Sequence, residues 1–153
     1  MVTTASRTRP HSLSIGPDRR RLAPGRMVML LLIAAVYIGF GTLHLAAPER
    51  LLPALPPGVP SPAEMILFAG ACEVAGGLGL LIPQARKAAA IVLAIYALCA
   101  WPLAAWQAMS GVQVPPAPDN WWYHGPRLAL QPVIAWAPLF AAGALDWPFR
   151  ARS

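Results

Sequence analysis

Residues 27–47 read MVMLLLIAAVYIGFGTLHLAA, an uninterrupted run of 21 residues in which His44 is the only strongly polar side chain. An α-helix rises about 1.5 Å per residue, so a helix of this length spans roughly 30 Å, the thickness of the hydrocarbon core of a bilayer. The run has no polar face of the kind that a soluble helix turns to water. It therefore predicts a membrane-spanning helix.

Three further apolar runs follow, and each is long enough to cross a bilayer. They predict spans at residues 63–82, 88–109 and 127–145. The connection at residues 48–62 is rich in proline, which lacks the amide hydrogen that a continuous helix needs. The predicted fold class is therefore all-α, an integral membrane bundle of four transmembrane helices with the first span at 27–47.

The predicted transmembrane domain covers residues 26–147 and is flanked by two polar segments. Residues 1–25 are rich in Arg, Ser, Thr and Pro and poor in large apolar side chains, which predicts a disordered basic cytoplasmic arm. Residues 148–153 form a predicted cytoplasmic tail.

Composition supports a lipid environment and argues against nucleic acid. Apolar residues make up 57% of the chain and charged residues 12%, with a mean hydropathy of +0.52, whereas soluble domains are about 25% charged. Six of the twelve basic residues precede the first span. They form no basic stripe interleaved with aromatic residues, so the net charge of +6 indicates contact with anionic lipid.

Lys and Arg are unevenly divided between the two sides of the predicted bundle. With the N-terminus inside, ten of the twelve lie before the first span, in the turn after the second span or in the tail, and only Arg50 and Arg127 lie outside. Cytoplasmic segments of membrane proteins carry such an excess. We therefore expect a multi-pass plasma-membrane protein with both termini in the cytoplasm.

Glu73 is the most informative polar residue because it lies ten residues into the second span, about 15 Å deep by helical rise. Gly70 and Gly77 share its helix face, and small residues allow a neighbouring helix to approach closely. Glu73 is therefore expected to face the bundle interior. Ionisable groups in membranes are candidates for function; the alternative is a neutral Glu73 that only bonds one helix to another.

Four further polar residues fall at the depth of the outer leaflet: His44, Gln107, Arg127 and Gln131. His44 shares a helix face with Tyr37, and Arg127 shares one with Gln131. A polar, outward-facing pocket floored by Glu73 would satisfy all five side chains, with His44, Glu73 and Gln131 lining one cavity and Arg127 at its mouth. In the alternative, Arg127 extends to lipid headgroups and His44 caps its own helix.

The two cysteines, Cys72 and Cys99, lie within apolar spans and are not spaced as a CxxC pair. Buried cysteines usually behave as small apolar residues. No metal site is predicted, since no Cys and His residues have the spacing of zinc ligands.

Several motifs resemble those of the DoxX-like family of small membrane proteins. The resemblance covers about residues 30–145 and departs after Pro102, where the family often has an asparagine. It implies a compact four-helix bundle and an association with redox chemistry, because the family is named for a subunit of a thiosulfate:quinone oxidoreductase. The matching motifs are Gly41-x-x-His44-x-x-x-Pro48, Ala69-Gly70-x-x-Glu73 with Gly76-Gly77, Arg86, Pro102 and Arg127-Leu-Ala-Leu-Gln131.

Three functions are compatible with these features. The first is an accessory protein or subunit, with partner redox subunits or a second copy of itself, that binds a quinone or a lipid between apolar walls. In that case His44, Arg127 and Gln131 would donate hydrogen bonds to the ligand. The second is a transporter in which Glu73 and His44 relay protons. The third is a structural membrane protein whose polar side chains only lock the helices together.

The basic asymmetry generates a topology prediction. A reporter that is active only in the cytoplasm should be active when it is fused after Ser153 and inactive when it is placed in the loop between the third and fourth spans. An outside location for Ser153 would overturn the predicted orientation.

Overall fold

A computed structural model describes residues 22–111, 118 and 120–148 of the chain. All regular structure in this part is helical. The predicted arm up to residue 21, residues 112–117 and 119 of the predicted outer loop, and the predicted tail from residue 149 onward lie outside the described residues.

Five α-helices and two short 3₁₀ turns make up the described part. The turns, Pro48–Arg50 and Leu52–Ala54, lie in the proline-rich connection. The helices are α1 (Pro24–Ala46), α2 (Pro62–Leu81), α3 (Arg86–Ser110), α4 (Trp121–Ala129) and α5 (Gln131–Ala141). By length and apolar composition, α1, α2 and α3 can each cross a membrane, so the chain is a membrane protein.

The structure has two short helices, α4 and α5, where the sequence predicted one span at residues 127–145. Helix α4 begins six residues earlier, at Trp121, because the Asn120 side chain accepts a hydrogen bond from the backbone N–H of Tyr123 at 3.0 Å and caps the helix. Helical structure is then interrupted at Leu130. Pro132 explains the interruption, since it has no amide hydrogen to bond the carbonyl of Leu128.

A ring is formed by α1, α2, α3 and α5, and each of these helices packs against the two beside it in the ring. Helix α1 packs against α2 and α5, and α3 packs against the same two helices, while α4 lies against α3 and α5. The first and last helices are neighbours in a simple closed bundle, and the contact between α1 and α5 has this arrangement. Leu30, Leu80 and Leu93 are fully buried among alanines, and most other large apolar side chains face outward, as expected in lipid.

The contact between α1 and α2 depends on two glycines that face each other. A β-carbon added to Gly41 would lie 2.8 Å from the Gly70 carbonyl oxygen and 2.9 Å from Cβ of Glu73. A β-carbon on Gly70 would lie 2.7 Å from Cβ of His44 and 2.9 Å from the Gly41 carbonyl oxygen. Each glycine thus makes room for the polar residue that follows the other glycine by three positions.

An ion pair joins the N-terminal end of α1 to the segment after α5. Arg26 Nη2 donates to Asp146 Oδ1 at 2.7 Å, and the guanidinium lies 4.3 Å from the centre of the Phe140 ring. Both contacts lie at the end of the bundle that is predicted to face the cytoplasm. They close the ring between its first and last helices.

The glycine contact generates a stability prediction. Gly41→Ala and Gly70→Ala should each destabilise the bundle by about 1–3 kcal/mol, because the added methyl group overpacks against backbone. Gly39→Ala is the matched control on α1, since a β-carbon there meets no atom within 4 Å and alanine favours helix. Unfolding of the purified protein by SDS, followed by circular dichroism, measures the difference; equal stability of all three variants would contradict the packing role.

Candidate functional site

Glu73 lies inside the bundle, with 6% of the residue exposed. Its Oε1 atom accepts a hydrogen bond from the hydroxyl of Tyr96 on α3 at 2.8 Å. The glycines on its face bring α1 close on the other side. The prediction that Glu73 faces the interior within reach of another polar side chain is confirmed.

His44 is the second partner of Glu73. Its Nδ1 atom lies 3.1 Å from Glu73 Oε2 and 2.8 Å from the carbonyl oxygen of Phe40 in its own helix. A carbonyl oxygen can only accept, so Nδ1 carries the hydrogen and donates it to Phe40. Glu73 Oε2 is buried and has no hydrogen-bond donor of suitable geometry, although the imidazole is adjacent.

Two tyrosines complete the polar group around Glu73. The Tyr37 and Tyr96 rings meet edge to face, with centroids 6.5 Å apart and an angle of 71° between the planes. We call Tyr37, His44, Glu73 and Tyr96 the Glu73 cluster. Tyr37 was singled out in the sequence only for sharing a face with His44, and Tyr96 was missed, although it is the only tyrosine in the third span.

Gln107 and Arg127 form a separate polar link on the side of α3 that carries α4. Arg127 Nη1 donates to Gln107 Oε1 at 3.1 Å, and Gln107 Nε2 donates to the Ala54 carbonyl oxygen at 3.1 Å. The Arg127 guanidinium also lies 5.9 Å from the centre of the Tyr123 ring. This link ties the proline-rich connection to α3 and α4.

Gln131 is buried at the start of α5 and donates a hydrogen bond from Nε2 to the Ala97 carbonyl oxygen on α3. Ala97 is the neighbour of Tyr96, so this bond reaches the helix segment that supports the Glu73 cluster. Of the five residues expected around one pocket, the structure joins His44 to Glu73 and Gln107 to Arg127. Gln131 bonds instead to the backbone carbonyl of Ala97.

His124 on α4 is a buried polar residue that the sequence did not single out. It lies edge to face with Tyr123, with ring centroids 5.2 Å apart. Both cysteines are free thiols, Cys72 half-buried and Cys99 exposed. Within the described ranges, no three His, Cys, Asp or Glu side chains are grouped as metal ligands would be.

The fold and the site define a class: a small, all-helical membrane protein with a carboxylate buried among aromatic and imidazole side chains. The model of a family described as a domain of unknown function (DUF8561) matches residues 32–141, more than half of the chain, which therefore belongs to this family. The match includes the whole Glu73 cluster. No curated protein and no solved structure matches the chain.

The separation of the two polar groups can be measured by double-mutant cycles. Tyr96→Phe and Glu73→Gln should be coupled by about 0.5–3 kcal/mol in the free energy of unfolding, because they share a hydrogen bond. Tyr96→Phe and Gln107→Ala should be additive, since these positions are 11 residues apart and thus about 16 Å apart along α3. Strong coupling between Tyr96 and Gln107 would show that the two groups act as one.

Proposed function

We propose that this chain is a membrane-embedded accessory protein that binds the polar head of an amphiphilic ligand, a quinone-type molecule or a lipid, at the Glu73 cluster. The observation that carries the proposal is the Glu73 carboxylate, buried between the Tyr96 hydroxyl and the His44 imidazole. Ionisable side chains are costly in a bilayer and are typical of functional sites there.

The cluster has the composition of a site for a ring-bearing ligand. Such sites combine apolar and aromatic walls with a few polar groups that orient the ligand. Tyr37 and Tyr96 supply aromatic walls, while Glu73 and His44 supply the polar groups. The bond from Gln131 to the Ala97 carbonyl oxygen supports a positioning role for Gln131 beside Tyr96, while Gln107 and Arg127 bond to each other away from the cluster.

The proposed topology has four crossings of the plasma membrane with both termini in the cytoplasm. Helices α4 and α5, of 9 and 11 residues, follow each other with only Leu130 between them. Together they have about the length that one crossing requires, and a proline break inside a membrane is tolerated where neighbouring helices bond the freed backbone. The excess of basic residues in the predicted cytoplasmic segments supports the orientation.

A redox-associated role is part of the proposal and rests on the resemblance to DoxX-like proteins. In this role the protein acts beside partner redox subunits or as an assembly of its own copies. The ligand would be a quinone-type molecule, held close to the partner that oxidises or reduces it. The bilayer supplies such ligands because they dissolve in its apolar core.

Proton-coupled transport is the second candidate, favoured by the distance of 3.1 Å between His44 Nδ1 and Glu73 Oε2. Two titratable groups so close can pass a proton between them, and His44 is the more exposed of the pair. Substrate flux driven by a pH gradient in proteoliposomes would favour this candidate. A co-purifying chromophore or quinone favours the first.

The ligand-binding proposal predicts the behaviour of Glu73→Leu. This variant should insert and fold, since leucine suits an apolar bundle, but it should lose the ligand because the polar anchor is gone. Mass spectrometry of small molecules extracted with the purified protein makes the comparison. Glu64→Leu is the matched control, because Glu64 lies on the same helix in its first, exposed turn; retention of one amphiphile by wild type and both variants alike would refute the proposed site.

A further inference from the structure

Two hydrogen-bond donors of the Glu73 cluster are engaged within the protein. The Tyr96 hydroxyl donates to Glu73 Oε1, and the His44 Nδ1–H donates to the Phe40 carbonyl oxygen. On the adjoining stretch of α3, Gln131 Nε2 donates to the Ala97 carbonyl oxygen. Tyr37, the remaining member of the cluster, keeps a hydroxyl that can donate to a ligand or accept from it.

An acceptor, by contrast, is left over. Glu73 Oε2 is fully buried and lacks a hydrogen-bond donor, with the His44 ring beside it but with its N–H directed elsewhere. A buried polar atom without a partner costs free energy, and a partner that supplies a hydrogen bond there recovers it. The unmet requirement at the centre of the cluster is therefore a donor.

We propose that the ligand of the Glu73 cluster is a hydroxyl donor, so that the site binds the reduced, quinol form of a quinone-type molecule in preference to the oxidised form. This inference rests on the proposed ligand-binding function. A quinone carbonyl can only accept and would face the acceptor Oε2, whereas a quinol hydroxyl donates to it. Lipids with a free hydroxyl group share the same chemistry.

The route to Glu73 Oε2 passes the His44 ring. The His44 side chain is 22% exposed and that of Glu73 is 8% exposed, and Nδ1 lies 3.1 Å from Oε2, so the imidazole is the more exposed of the two groups. Rotation of the ring away from Glu73 exposes Oε2 while the Tyr96 hydroxyl continues to hold Oε1. The ligand hydroxyl then takes the place beside Oε2 that the imidazole occupies.

Binding measurements on the purified full-length protein in detergent micelles test the inference. The probes are a short-tailed benzoquinol kept reduced under nitrogen, the matching benzoquinone, and a monoacylglycerol as a hydroxyl-bearing lipid. We expect wild type to bind the quinol at least about tenfold more tightly than the quinone, because only the quinol supplies the buried Oε2 atom with a hydrogen-bond donor. Binding of the monoacylglycerol alone would support the hydroxyl-donor requirement and assign the ligand to the lipids.

Two outcomes would contradict the inference, and only the second would also contradict the proposed ligand-binding function. Equal or tighter binding of the quinone would overturn the hydroxyl-donor requirement but retain the proposed function. Binding of none of the three probes would overturn the proposed function together with the inference.

Isosteric variants locate the effect at Glu73. Glu73→Gln provides an amide that can donate to a carbonyl, so the preference for quinol should fall to within about threefold. Glu64→Gln, in the first turn of the same helix, should keep the wild-type preference. A preference for quinol that survives Glu73→Gln would overturn the assignment to Glu73.

Discussion

The close approach of α1 and α2 at Gly41 and Gly70 is the constraint on which the rest of the structure depends. Without side chains at these two positions, the backbones come near enough for each glycine to lie against the polar residue of the opposite helix. The same approach sets the distance between His44 and Glu73. In lipid, where apolar burial between helices provides little driving force, such close packing is a main source of helix association.

The polar side chains inside the bundle fall into two groups, those with hydrogen bonds to other protein atoms and Glu73, which has one oxygen without a donor. Gln107, Arg127 and Gln131 bond to each other or to backbone oxygens, and these contacts fasten α3 to its neighbours. Glu73 has one oxygen bonded to Tyr96 and the other buried beside His44 without a donor. Such a carboxylate contributes little to the stability of the bundle, because one of its two buried oxygens has no hydrogen-bond donor.

The sequence predicted the interior position of Glu73 correctly because glycines at helical spacing mark the face on which a neighbour approaches. It placed His44, Gln107, Arg127 and Gln131 in one layer with Glu73 from their depth along each span. Depth fixes the position along a helix axis but not the rotation about it or the partner helix. In the structure, Arg127 bonds to Gln107 and the Tyr96 hydroxyl bonds to Glu73. The sequence spacing did not predict that Tyr96 lies on the face of α3 that meets Glu73.

By itself, the sequence determined the helical class, the membrane environment, the approximate bounds of the first three helices and the inward direction of Glu73. These follow from local composition, helical rise and proline chemistry, which act within a few residues. Tertiary structure alone decided which polar groups meet, how the ring of helices closes and where the fourth predicted span divides into α4 and α5. Such features depend on contacts between distant segments, whose geometry is set only when the helices pack together.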